Sequence, residues 1–91
     1  MTLTLKNKKN TIINIPIERE VKNTDTFKML IYSEHNLIEE TTEIPLVFLT
    51  NNRRWEKFNV DLTGFDFENG QYHYILYRNN RQFFNGRLNI I

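Results

Sequence analysis

The chain has 91 residues, 40% of them apolar and 13% aromatic, a size that allows one domain over residues 1–91 with one core. Twelve Lys and Arg face 11 Asp and Glu, a net charge of +1. That balance excludes the strongly basic footprint of a dedicated nucleic-acid binder and the charge excess of a disordered tail. Cysteine is absent, which removes disulfides, thiolate nucleophiles and Cys-based zinc sites. No apolar run approaches the roughly 18 residues of a membrane-spanning helix. The start, Met1-Thr2-Leu3-Thr4-Leu5-Lys6, lacks the basic and apolar regions of a signal peptide, so none is expected.

Alanine, the best helix former, is missing altogether, while Asn occurs 13 times, Ile 10 times and Thr nine times. β-Branched and aromatic residues favour strands, and the pattern agrees. Residues 2–6 alternate Leu3 and Leu5 with polar side chains, and a polar turn follows at Asn7-Lys8-Lys9-Asn10. Residues 11–17 place Ile13, Ile15 and Ile17 on one face; Pro16 cannot donate to a central ladder and is expected at a bulge or where the strand leaves its sheet. The first 26 residues therefore look like a β-hairpin followed by a charged loop over residues 18–26.

Residues 27–34 are apolar on both faces, the mark of a central strand. Residues 35–43 are polar and acidic around Leu37 and Ile38, suiting either a short edge strand or an irregular crossover. Pro45 opens a strand over residues 46–50, and Asn51-Asn52-Arg53 turns the chain into residues 54–62, where Phe58, Val60 and Leu62 share a face. Gly64 and residues 65–70 form a corner. Residues 71–78 and 82–91 are the last two strands, joined by Asn79-Asn80, a pair that tolerates positive φ in a two-residue loop. Gly86 suggests a bulge or a close backbone approach.

Seven or eight short strands with turn signals about every ten residues predict an antiparallel β-sandwich. A more specific sign is Phe67-Glu68-Asn69-Gly70-Gln71-Tyr72-His73-Tyr74. Gly-x-Tyr at the entry to the penultimate strand resembles the tyrosine corner of immunoglobulin-like domains, in which the Tyr hydroxyl bonds upstream backbone. Tyr72 is the corner residue of that reading, and Tyr74 stands where antibody-type domains carry their second Cys. The fold class expected is thus all-β, a single immunoglobulin-like antiparallel sandwich of about seven strands.

Residues with catalytic or metal-binding chemistry are sparse. Ser33, the only serine, has His35 two positions on, but no nucleophile elbow surrounds it, and a solvent-facing pair is the expectation. His35 and His73, with Glu34 or Glu68, lack any metal-site spacing, and His73 should face away from the core, on a surface or interface. Glu39, Glu40, Glu43, Asp66 and Glu68 read as solvated loop carboxylates rather than glycosidase acids, which need a fixed pair across a cleft. Neither an enzyme nor a cofactor is expected.

Interaction residues are the better candidates. Arg53-Arg54-Trp55 combines two residue types enriched at interface hot spots; the alternative is that Trp55 packs inward with the arginines flanking a turn. In an immunoglobulin-like order, Arg53, Arg54, Arg78 and Arg81 collect at one end with Glu18, Arg19, Glu20, Lys22 and Asp25, giving it roughly +3 against roughly −3 at the other. That polarity suggests docking onto an acidic protein surface. Ile75 and Tyr77, on the outer side of the penultimate strand, and Phe83 beside Phe84 imply that something covers this face.

The second half also resembles a known group. Arg54-Trp55-Glu56-Lys57-Phe58-Asn59-Val60, then Asn69-Gly70-Gln71-Tyr72-His73-Tyr74-Ile75-Leu76, then Phe84-Asn85-Gly86-Arg87-Leu88-Asn89-Ile90 is similar to small structural proteins of tailed bacteriophages and prophages of Bacteroidetes. Among these it is most like the immunoglobulin-like head auxiliary proteins of crAss-like phages, over residues 27–91. The resemblance implies a virion component on the capsid surface, assembled in the host cytoplasm. It would be a capsid decoration protein bound in many copies to the major capsid protein, or to another virion protein, without membrane or direct nucleic-acid contact. Arg53, Arg54, Trp55, Tyr77, Arg78, Arg81 and Phe83 are the expected contact residues. A tail, collar or neck accessory of the same fold, and a carbohydrate-binding or adhesion module with Trp55 and Tyr77 stacking on sugar, are the alternatives.

Overall fold

A computed structural model describes residues 2–16, 24–33, 41–52 and 55–91. Among these residues there are seven strands: β1 (Thr2–Leu5), β2 (Asn10–Ile15), β3 (Phe27–Ser33), β4 (Thr42–Asn52), β5 (Trp55–Asp61), β6 (Gly70–Arg78) and β7 (Arg81–Ile90). Each strand contributes two apolar or aromatic residues in i, i+2 phase to one core: Leu3 and Leu5, Ile13 and Ile15, Met29 and Ile31, Ile44 and Leu46, Phe58 and Val60, Tyr74 and Leu76, Leu88 and Ile90. Period-two alternation thus turns one face of every strand inward. Burying each such side chain is worth about 1.5–3 kcal/mol before chain entropy is charged against it.

The strands follow the order β1-β7-β6-β3-β4-β5-β2. β4 belongs to both layers. Its first residues, Thr42 to Pro45, pair antiparallel with Ile31 to Lys28 of β3, and from Leu46 onward it pairs with β5. Pro45 lies at this transfer, where a residue without an N–H donor costs no central ladder bond. The result is a front layer of β1, β7, β6, β3 and the start of β4, folded over a back layer of the rest of β4, β5 and β2. The strand neighbours β3-β6-β7 and β2-β5-β4 are those of an immunoglobulin-like sandwich.

Two expectations need correction. β1 and β2 do not form a hairpin: β1 pairs with β7 and β2 with β5. The turn between them, with Lys8 at φ 59°, carries the chain from one layer to the other, so Leu3 and Leu5 face Ile13 and Ile15 across the core. The sandwich is also mixed, since β1 runs parallel to β7. Lys6 N–H donates to Thr11 Oγ1 at 3.1 Å across the gap between β1 and β2, nearly closing the sheet on itself. Pro16 falls just beyond β2, and Ile17 lies outside the described residues.

The corner is formed as the motif predicts. Gly70 has φ 153°, a backbone region that favours glycine, and Tyr72 Oη donates to the Glu68 carbonyl at 2.7 Å. Asn7 Nδ2 joins the same corner, donating to the Phe67 carbonyl at 2.6 Å and to Asn69 Oδ1 at 2.9 Å. Two residues after Tyr72, Tyr74 is fully buried, and burial pushes its phenol up to about 12. Asn79 and Asn80, at φ 51° and 65°, make the tight loop between β6 and β7.

Candidate functional site

The outer side of the front layer carries the residues left by the inward alternation. Strand register sets Tyr32 beside His73 and His73 beside Arg87. The next row holds Leu30, Ile75 and Asn85, and the one after it Lys28 and Tyr77. Tyr32 and His73 stack with ring centroids 5.4 Å apart and planes 20° apart. Lys28 Nζ sits 5.2 Å from the centre of the Tyr77 ring and 3.3 Å from Glu43 Oε1. A shallow depression of about 380 Å³ opens here, lined by Tyr32, His73, Ile75, Gln82, Asn85, Gly86 and Arg87. Gly86 pairs with Tyr74 in unbroken register, so it marks no bulge.

The ladder between β6 and β7 does shift, between Leu76 and Tyr77. Phe84 opposes Leu76 and Gln82 opposes Tyr77, leaving Phe83 as the extra residue. Phe83 packs against the core, edge-on to Phe27 with centroids 6.1 Å apart. The extra residue explains why two consecutive phenylalanines are both half-buried.

The expected contact residues therefore divide. Tyr77 lies on the outer face with Lys28 against its ring, and Arg81 is exposed at the tip of the hairpin. Phe83 is already occupied by the core. Arg78 is not a free docking residue: its guanidinium meets Asp25 Oδ2 at 2.6 Å, and the two side chains are only 19% and 6% exposed. It also lies 5.8 Å from the centre of the Phe27 ring. Arg53, Arg54 and the side chain of Trp55 lie outside the described residues, as do Glu34, His35, Glu39 and Glu40.

The Asp25–Arg78 pair belongs to a staple between the chain entering β3 and the β6–β7 loop. Asp25 Oδ1 accepts from Asn79 Nδ2 at 2.7 Å, Thr26 N–H donates to Asn79 Oδ1 at 2.9 Å, and Asn79 N–H donates to the Thr26 carbonyl at 2.9 Å. These contacts bring the two loops to one end of the sandwich, as the immunoglobulin-like order requires. Glu56 is buried, 5% exposed, in phase with Phe58 and Val60, and among the described residues its Oε2 meets no hydrogen-bond donor. Burial raises its pKa above the usual carboxylate value, an effect partly opposed by the positive charge of Arg78. Period-two parity with Phe58 was the sequence signal for this inward Glu.

The back layer offers a different surface. Ile12, Val47 and Leu49 are 58%, 53% and 46% exposed. Ile12 and Val47 flank Asn59 in register, and Asn59 Nδ2 donates to Asn10 Oδ1 at 2.9 Å. Among the described residues no group of three or more His, Asp or Glu is placed to hold a metal ion. The front face combines stacked rings, an aliphatic floor, two amides and a guanidinium, groups able to make apolar and hydrogen-bonding contacts. No protein-family model and no curated protein matches this sequence.

Proposed function

We propose that this chain is a virion structural protein of a tailed bacteriophage, a capsid auxiliary or decoration protein that binds the major capsid protein lattice in many copies. The observation that carries the docking part of this reading is the front face. There an immunoglobulin-like sandwich presents Tyr32, His73, Ile75 and Tyr77, half-buried against one another, beside the exposed Arg87. Aromatic side chains and an arginine gathered on the outer side of a sheet have the composition of a surface that packs against another protein. The head location comes from the resemblance of residues 27–91 to head auxiliary proteins of crAss-like phages. Binding only the assembled lattice would stabilise the shell by mass action.

Mass spectrometry of purified virions tests this directly. A ratio to the major capsid protein near one, or a simple fraction of it, is expected. About a dozen copies per particle would move the protein to the neck or tail, and its absence would overturn the virion reading.

A further inference from the structure

Residues 70–91, the β6–β7 hairpin with the C-terminal residue, contain three arginines and no Asp or Glu. Arg78 is taken by Asp25. Arg81 and Arg87 are exposed, and neither meets a carboxylate among the described residues. These two arginines bracket a stretch of backbone with an unusual position in the sheet. β1 covers β7 only from Arg87 to Ile90, so on the side away from β6, residues 81–86 pair with no strand among the described residues. An unpaired edge presents N–H and C=O groups at strand spacing, which is a template for one more strand. The depression opens onto the same stretch, with Gln82, Asn85, Gly86 and Arg87 on its β7 side and Tyr32, His73 and Ile75 behind them.

We propose that this edge receives an extended acidic segment of the partner protein, added beside β7 as a further strand. The inference rests on the docking reading above and names the chemistry of the segment. Main-chain hydrogen bonds to residues 81–86 would supply affinity. Because side chains alternate between faces, every second residue of the added strand lies on the side of the depression, beside Gln82, Asn85 and Arg87 at its β7 rim. A carboxylate at one of these positions, on the same face, then meets Arg87, whose planar guanidinium can grip both of its oxygens. Arg81 adds a second positive charge where the segment leaves the edge. The hairpin itself carries no acidic side chain to repel such a segment or to compete for Arg81 and Arg87.

The test is selection of a display library of random twelve-residue peptides on the purified protein, followed by binding of the selected peptides to Arg87→Glu and Arg81→Glu variants. Both side chains are exposed, so wild-type melting temperatures are expected. The selected peptides should be enriched in Asp and Glu, bind at least tenfold more weakly to Arg87→Glu, weaken with added salt, and shift the amide resonances of residues 81–86. A library without binders, binders lacking acidic residues, binding indifferent to Arg87→Glu, or shifts confined to other strands would each overturn the proposal. If such a negative result accompanies near-stoichiometric abundance in virions, the edge site fails while the decoration role stands. The reverse pattern would leave the edge site standing and remove the virion role.

Discussion

The two ends of the sandwich are held by different chemistry. At the corner end, neutral groups do the tying: Tyr72 to the Glu68 carbonyl, Asn7 to Phe67 and Asn69, and Asn7 N–H to the Ile91 carbonyl at 2.9 Å. The ion pair there, Lys8 with Asp66 at 3.6 Å, is exposed on both sides. At the opposite end, charge has moved inward. Asp25 and Arg78 are mostly buried together, and Glu56 lies beneath the surface with an oxygen that meets no donor among the described residues. Neutral hydrogen bonds tolerate partial exposure at modest cost, whereas a buried pair is strongly destabilising to break. An arginine at a loop end is therefore no guide to docking unless its partner is known. Arg78 holds the fold, while Arg81 and Arg87 are available to meet another molecule.

The largest effect that would sharpen this contrast is at the charged end. Asp25→Ala leaves Arg78 buried without its carboxylate and should cost about 3 kcal/mol, lowering the melting temperature by roughly 10–20 °C. A loss below 1 kcal/mol in urea titration would break the comparison. At the neutral end, Tyr72→Phe should cost about 1 kcal/mol, with little change in the urea m-value. Glu56→Gln should act in the opposite direction and stabilise by up to about 1 kcal/mol at pH 7.

The sign for Glu56 follows from its raised pKa. The folded chain holds the proton more tightly than the unfolded one, whose carboxyl titrates near 4.5. Stability therefore falls as pH rises from about 4.5 through the folded value, and stays lower above it. Glu56→Gln removes that slope. Asp61, held low by its hydrogen bonds from the Thr63 side chain and N–H, acts below its ordinary value of 3.8 and does not overlap this window. The smallest effect belongs to the exposed pair at the corner end: Lys8→Ala should change stability by under about 0.5 kcal/mol.

Local patterns made much of the fold legible. Period-two alternation placed the inward pairs of most strands, Asn79-Asn80 announced its turn through tolerance of positive φ, and Gly70-Gln71-Tyr72 announced the corner. What local patterns do not carry is the choice of distant partner. The parallel union of β1 with β7, the transfer of β4 between layers at Pro45, and the pairing of Asp25 with Arg78 depend on residues far apart in the chain. Phe83 shows a subtler limit. Two adjacent phenylalanines read as one inward and one outward until the extra residue in the ladder brings Phe83 against Phe27. Among the residues expected to contact a partner, Tyr77 and Arg81 remain on the surface, whereas Arg78 and Phe83 are taken up by the fold.

In the proposed docking, the front face and its open β7 edge, rather than the aliphatic back face, meet the partner. Amide hydrogen exchange of the protein, free and bound to purified phage heads, tests it most directly. Bound protein should show slowed exchange across residues 81–86 and around His73 and Ile75, with little change near Ile12, Val47 and Leu49. Protection centred on β2 and β4 instead, or none at any strand, would rule out docking through the front face.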